Sequence, residues 1–302
     1  MKVYTLKAGE NWFCDRYQQE WSRFASEYET NDILNCDLIW LLPSWQWARL
    51  PDSLLREKKV IATVHHVVPN KFNKELFLAR DRYVDAYHVP CVQTKKNILQ
   101  FTKKPIKVIG YWLNEEVWHP MDRDQSRRSL NIPMEDFVVG SFQRDTEGSD
   151  LKSPKLEKGP DLFVEYVKNI SKPNLHILLG GWRRQYIINK LQSENIKYTY
   201  IELAERYVLK KMYSSLDLYV VSSRYEGGPQ ALLEASAMRV PIVSTDVGMA
   251  TDVLCKNCII DINNSEPYFP SNSDVNECYN GAHKYEIKEH INKYIKFFKE
   301  TL

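Results

Sequence analysis

The chain has 302 residues, of which 43% are hydrophobic and 26% charged, and its formal charge is +2. That length accommodates two domains of ordinary size, and the balance is that of a globular protein rather than a disordered one. The near-neutral charge excludes the strong basic field of a typical nucleic-acid binder, and no apolar run approaches the roughly 18 residues that span a bilayer.

The N-terminus, Met1-Lys2-Val3-Tyr4-Thr5-Leu6, predicts a strand and is too short for a signal-peptide core. Gly9 falls at the turn that must follow. Backbone amides there can face a ligand at the strand's C-terminal end, and a glycine needed only for the turn explains the position equally well. Apolar residues at Phe13, Tyr17, Trp21, Phe24 and Tyr28 recur every three or four positions and predict an amphipathic helix. Strands follow at Asp37–Leu42, Val60–Val64 (ending at His65-His66), Asp85–Val89 and Ile106–Ile109, giving a sheet of about five strands. Lys95, Lys96, Lys103 and Lys104 surround Ile98, Leu99 and Phe101. Such a segment suits a membrane surface carrying a lipid-linked acceptor, or simply a solvated helix face. The polar run Asp122 to Arg128 fits a linker, so the expected domains are 1–120 and 121–302. Asp122-Arg123-Asp124 has the acid-x-acid form of a metal motif, which belongs at the end of an apolar strand rather than in a charged linker.

The second half opens with a strand, Phe137 to Ser141, leading to Gln143-Arg144; a polar loop then reaches Lys158-Gly159-Pro160. Leu175–Gly180 is the next strand, followed by a helix near Arg183 to Glu194, a strand near Lys197 to Glu202 and a helix near Tyr207 to Ser215. Leu218-Tyr219-Val220-Val221 then runs into Ser222-Ser223-Arg224-Tyr225-Glu226-Gly227-Gly228-Pro229-Gln230-Ala231-Leu232-Leu233-Glu234-Ala235. The glycines permit a tight turn, Pro229 suits the first helical position, and the helix is apolar nearly all round apart from Gln230 and Glu234. A strand, Pro241 to Ser244, follows directly. This strand–glycine loop–helix–strand unit presents a helix N-terminus to an anion. Ile259–Asp261 reads as a last strand and Ile287 to Phe298 as a C-terminal helix.

Glu226 and Glu234, eight apart and flanking Gly-Gly-Pro-Gln-Ala-Leu-Leu, with Val247-Gly248 beyond the next strand, resemble the E-x7-E signature of family 4-type retaining glycosyltransferases (glycosyl transferases group 1). The resemblance implies an α/β chain of the GT-B fold, two Rossmann-like doubly wound domains facing across a cleft. It also implies a nucleotide-diphosphate-sugar donor held by the second domain and a glycan or glycolipid acceptor. His65 matches the histidine that family members carry at a strand end, reaching toward the donor sugar. Trp112 to Pro120 resembles the family's interdomain crossing, and the C-terminal helix of the family packs back across the first domain. Arg144 and Lys158 match two cations that clamp the diphosphate, although Lys152 and Lys155 lie in the same long loop. Glu202-Leu203-Ala204 lies where relatives hold the base.

In that scheme Arg144, Lys158 and the amides around Gly227, Gly228, Pro229 and Gln230 stabilise the leaving diphosphate without a metal. Glu234, among apolar neighbours, needs partners. Two ribose hydroxyls would satisfy it, and a buried ion pair with Arg239 is the alternative. Glu226 would bind the transferred sugar. A sugar-nucleotide epimerase of the same architecture and a non-catalytic nucleotide-sugar-binding module remain open, whereas a DNA glucosyltransferase is disfavoured by the charge. Six cysteines without dense spacing predict reduced thiols and a cytoplasmic protein, for which the basic segment around Lys95 to Lys104 leaves peripheral membrane contact open. Cys255-x-x-Cys258, Cys278 and His283 offer zinc three thiolates and an imidazole. Because Cys258 opens an apolar strand, where a side chain points into a core, no metal is expected.

Overall fold

The computed structural model describes residues 1–9, 13–263 and 266–302. The chain divides into two units, one formed by Met1–Asn114 with Tyr285–Leu302 and the other by Glu115–Lys284. The first unit is therefore discontinuous: the boundary expected near residue 120 falls after Asn114, and the C-terminal helix, expected to pack back on the first domain, is part of the first unit.

The first unit contains β1 (Val3–Thr5), α1 (Phe13–Phe24), β2 (Glu29–Thr30), β3 (Leu38–Leu41), α2 (Asp52–Glu57), β4 (Lys59–Thr63), α3 (Lys74–Asp81), β5 (Ala86–Val89), α4 (Val92–Leu99) and β6 (Ile106–Val108). All six strands are parallel, in the order β2-β1-β3-β4-β5-β6. The sixth strand beyond those expected is the short β2. Every residue of β3 and β5 is buried, as befits parallel strands covered on both faces. On one face Tyr17 stacks on Trp112 at 3.5 Å between ring centroids and Trp21 meets Trp40 edge-on at 5.4 Å. On the other, Ile39, Leu41, Val60, Ala62, Tyr87 and Val89 join Ile98 of α4 in the core. Ile98 thus points inward while Lys96 and Lys103 are exposed, which is the pattern of a solvated helix face.

The last helix belongs to this unit for reasons visible in its spacing. Tyr294 and Phe298, one turn apart, both lie against Trp40, with ring centroids at 5.8 and 5.1 Å. The Tyr17 and Tyr294 hydroxyls are hydrogen-bonded at 2.9 Å. The chain re-enters through Leu113 N–H to Tyr285 O and Ile287 N–H to Leu113 O.

The second unit contains α5 (Arg123–Ser129), β7 (Phe137–Ser141), β8 (Thr146–Glu147), β9 (Ser153–Pro154), α6 (Pro160–Lys168), β10 (Leu175–Gly180), α7 (Gln185–Ser193), β11 (Lys197–Ile201), α8 (Arg206–Ser214), β12 (Leu218–Val221), α9 (Gln230–Ala237), β13 (Ile242–Ser244), α10 (Ala250–Val253) and α11 (Asn272–His283); the C-terminal helix of the first unit is α12 (Ile287–Thr301). The main sheet is parallel, in the order β11-β10-β7-β12-β13, the doubly wound arrangement. Its strand order reverses beside β7, so the C-terminal ends of β7 and β12 flank the position where such sheets bind ligands.

Three sequence expectations change here. The polar run after Asp122 is helix rather than linker: Asp122 caps α5 by accepting from Gln125 N–H. The fully buried Arg127 then donates to Ser215 O, Met134 O, Asp136 O and Asp217 Oδ2. Asp122 is thus a helix cap, not half of a metal motif. Ile259–Asp261 is not a strand; a lone parallel bridge joins Ile259 to Ser244. Finally, α9 begins at Gln230, and Pro229 stands one place earlier, its carbonyl accepting from Leu232 N–H. Among the described residues no helix is long and apolar enough to cross a membrane.

Candidate functional site

The end of β12 and the start of α6 meet through backbone. Gly159 has φ +59°, and a Cβ there would lie 1.9 Å from Ser222 O, so only glycine lets the two segments approach. Lys158 immediately precedes it. The Lys158 carbonyl accepts from Gln143 Nε2 at 2.8 Å and from Ser222 Oγ at 3.3 Å, which fixes this cation relative to the ends of both β7 and β12. Its ammonium forms a 2.5 Å ion pair with Glu226 Oε1. Ser223 Oγ lies 3.1 Å from that same carboxylate oxygen and 3.1 Å from Gln143 Oε1. The structure thus brings Lys158 and Glu226 together, and adds Gln143, Ser222 and Ser223.

The loop carrying Glu226 is held from below. Gly248, at φ +58°, packs so closely that a Cβ would sit 2.4 Å from Gly227 O. Thr245 Oγ1 donates to Ser223 O, and Arg224 forms a two-pronged pair with Asp161. Gly227, Gly228 and Pro229 therefore enter α9 along a fixed path. Gln230 Nε2 at its start is buried with no hydrogen-bond partner among the described residues. One turn on, Glu234 is buried and accepts from the Tyr213 hydroxyl at 2.9 Å. Arg239, the alternative partner considered for it, lies over the Tyr279 ring and donates to Asn276.

Arg144 follows Gln143, but its guanidinium turns onto the half-exposed ring of Trp182, at 5.0 Å, and its Nε donates to Thr146 O. Behind it lies an ion pair that the sequence did not reveal. Arg184, fully buried, donates to Asp145 Oδ2 and to the carbonyls of Ser141 and Gly180, the last residues of β7 and β10. Asp145 also accepts from Thr146 Oγ1 at 2.6 Å. Lys152 is exposed, and Lys155 pairs with Glu157 at 3.7 Å.

In the first unit, Gly9 has φ +72°, and its N–H is taken by Asp15 Oδ1 at 2.9 Å. Its amide thus serves the turn. His65 donates from Nε2 to Leu42 O at 2.9 Å and accepts at Nδ1 from the Tyr111 hydroxyl, so both ring nitrogens are engaged within this unit. Burial, reinforced by the neighbouring His66 and His88 rings, pulls its pKa down to about 3. Burial likewise lowers His88 to about 4 and His290 to about 4; their Nε2 atoms donate to Ile109 O and Gly110 O. All three are neutral when folded and take up protons once unfolded, so they stabilise the fold fully only above the ordinary value of 6.5. The first unit should lose stability as pH falls from about 6.5 toward 4. Thermal midpoints unchanged between pH 7 and pH 4 would show that these rings titrate normally.

Residues 122–266 match the model of the family described as glycosyl transferases group 1. A lipopolysaccharide core biosynthesis mannosyltransferase, LpsB of Rhizobium meliloti (strain 1021), is 24% identical over 144 residues; the match spans 45% of this chain and 38% of that enzyme's length. Among solved structures, Anabaena Alr3699/HepE in complex with UDP and glucose superposes with a TM-score of 0.78 at 12% identity, covering 99% of both chains. Sucrose-phosphate synthase from Thermosynechococcus elongatus gives 0.69 at 16% identity, over 95% of this chain and 77% of that one. Residues 122–266 are thus similar to the glycosyl transferases of group 1, and the fold of the chain is the GT-B fold.

Proposed function

We propose that the chain is a cytoplasmic, retaining glycosyltransferase that moves a sugar from a nucleotide-diphosphate donor to a glycan or lipid-linked acceptor without a catalytic metal. The observation carrying this reading is the convergence of Lys158, Glu226, Gln143 and the start of α9 at the strand-order reversal of the second unit. An incoming diphosphate offers Lys158 more negative charge than the Glu226 carboxylate does. Lys158 therefore passes to the phosphates, and Glu226 is released toward the sugar. The N-terminal turn of α9 and the unpartnered Gln230 amide add donors on the same side, where an unmade buried hydrogen bond otherwise costs about 1–3 kcal/mol. Arg144 joins them by leaving the Trp182 face. The bond from the sugar's anomeric carbon to the phosphate oxygen breaks, the acceptor oxygen bonds to that carbon on the same face, and the leaving phosphate takes the acceptor's proton. Positive charge on the protein stabilises the departing diphosphate, the role a metal plays elsewhere.

Uridine donors are the first to test, with glucose or mannose as the sugar, since the HepE structure holds UDP and glucose and LpsB is a mannosyltransferase. Release of nucleoside diphosphate from one such sugar, in buffer containing EDTA, is the expected result. A chain that binds nucleotide sugars and never turns them over is a binding module instead. Glu234→Gln should keep the fold, because the amide still accepts from Tyr213, and should weaken donor binding roughly tenfold, because hydrogen bonds from ribose to a carboxylate are about 1.5–3 kcal/mol interactions. Equal nucleotide affinity in Glu234→Gln and wild type would remove Glu234 from the ribose site.

A further inference from the structure

We propose that Cys255, Cys258 and Cys278 form a binding site for a thiophilic metal ion, with zinc as its occupant. The three sulfurs converge within 4.8 Å of one another, and the residues are buried. Cys255 stands at the head of the short turn Lys256–Cys258, so the two sulfurs of the C-x-x-C pair face the same side, 3.4 Å apart. Cys278 arrives from α11, with its sulfur 3.7 Å from that of Cys258. What brings it so close is Gly281, on the same helix face one turn further on. A Cβ at Gly281 would lie 2.0 Å from Val253 O, so α11 lies directly against the end of α10.

Thiolates bound to tetrahedral zinc at about 2.3 Å lie about 3.8 Å apart. The separations in the structure are within a few tenths of an ångström of that spacing. The surroundings also suit thiolates. Cys255 N–H donates to Cys278 Sγ at 3.3 Å, the kind of outer hydrogen bond that steadies a metal-bound sulfur. Asp274 Oδ1 lies 3.3 Å from Cys255 Sγ. The carboxylate is held by Tyr268, Ser271 and Asn257 and, touching only one of the three sulfurs, stands beside the cluster rather than within it. His283, the imidazole expected from the sequence, instead packs on the Tyr279 ring at 4.1 Å and is not one of the grouped ligands. Loading breaks three S–H bonds and forms three S–metal bonds; three protons leave to solvent and no electrons move. Such an ion would tie α11 to α10 and the turn after it, a structural role that does not depend on the proposed transfer chemistry.

The test uses the full chain, purified under reducing conditions without chelator. Zinc is measured in the protein by elemental analysis, and the reduced metal-free chain is titrated with Co2+. Expected are one tightly held zinc per chain and, with cobalt, a thiolate-to-metal charge-transfer band that zinc abolishes. Cys278→Ala should lose both, while Lys256→Ala, beside the ligands, should keep both. Wild-type protein decides the matter even if Cys278→Ala fails to fold. Folded, reduced wild type with neither zinc nor a cobalt band overturns the proposal, as does a Cys255–Cys258 disulfide in freshly prepared chain.

Discussion

Asp145→Ala is expected to destabilise the second unit by about 3–5 kcal/mol, the usual cost of leaving one member of a buried ion pair without its partner. Arg184 is fully buried, and its guanidinium bridges the ends of β7 and β10 through the Ser141 and Gly180 carbonyls. Without Asp145 those carbonyls remain, but the positive charge has no counter-charge in contact. The thermal midpoint should fall by on the order of 10 °C for a unit of this size. Replacing both members, as in Asp145→Leu with Arg184→Met, should recover much of the loss, because an apolar pair of similar volume removes both desolvation costs. Activity should not recover with it. Lys155 N–H donates to Asp145 O at 2.7 Å, and Tyr186 N–H donates to Thr146 Oγ1, so this pair also sets the loop that carries Arg144. If Asp145→Ala unfolds at the wild-type midpoint, the pair contributes no more than a surface contact.

The regular elements were legible because their patterns are local. Every residue of β3, β5 and β12 is buried; β3 and β12 appear in the sequence as unbroken apolar runs, and β5 as one interrupted only by His88. The four-residue spacing of Tyr17 and Trp21 is likewise the spacing of one helix face. What the sequence hid is nonlocal or depends on one backbone contact. Arg184 and Asp145 are 39 positions apart, and nothing in either neighbourhood marks an arginine as buried. The Asp122 run reads as linker because Arg127 looks exposed until its four backbone and carboxylate partners are seen. That α12 returns to the first unit came from the family resemblance and not from periodicity, which cannot pair Tyr294 and Phe298 with Trp40 some 250 positions away. In the candidate site the order of Lys158, Glu226 and Glu234 was apparent. That Lys158 and Glu226 would neutralise each other was not, since motif order says which residues meet a ligand and nothing of how they pair without one.

That pairing gives the most discriminating expectation, because it moves binding and turnover in opposite directions. Lys158→Ala should lower kcat/KM by roughly ten- to a hundredfold, the loss of a charge-assisted contact of about 1.5–3 kcal/mol to phosphate. Lys152→Ala and Lys155→Ala should be nearly silent, the first being exposed and the second paired with Glu157. Glu226→Gln behaves differently from either. The donor must take Lys158 from a carboxylate at 2.5 Å, so removing that charge removes the competition. Nucleoside diphosphate, which carries no sugar for Glu226 to hold, should then bind Glu226→Gln more tightly than wild type. The gain should be about 1 kcal/mol, or roughly fivefold, the scale of a partly exposed ion pair. Turnover of the full donor should fall at the same time, because in the proposed reaction this carboxylate faces the positive charge developing at the sugar ring. In Lys158→Ala the Glu226→Gln substitution should no longer improve diphosphate affinity, since there is no cation left to release. Titration calorimetry on the four proteins closes the cycle. If Glu226→Gln binds the diphosphate more weakly than wild type, the two side chains do not compete, and Lys158 holds its phosphate without leaving Glu226.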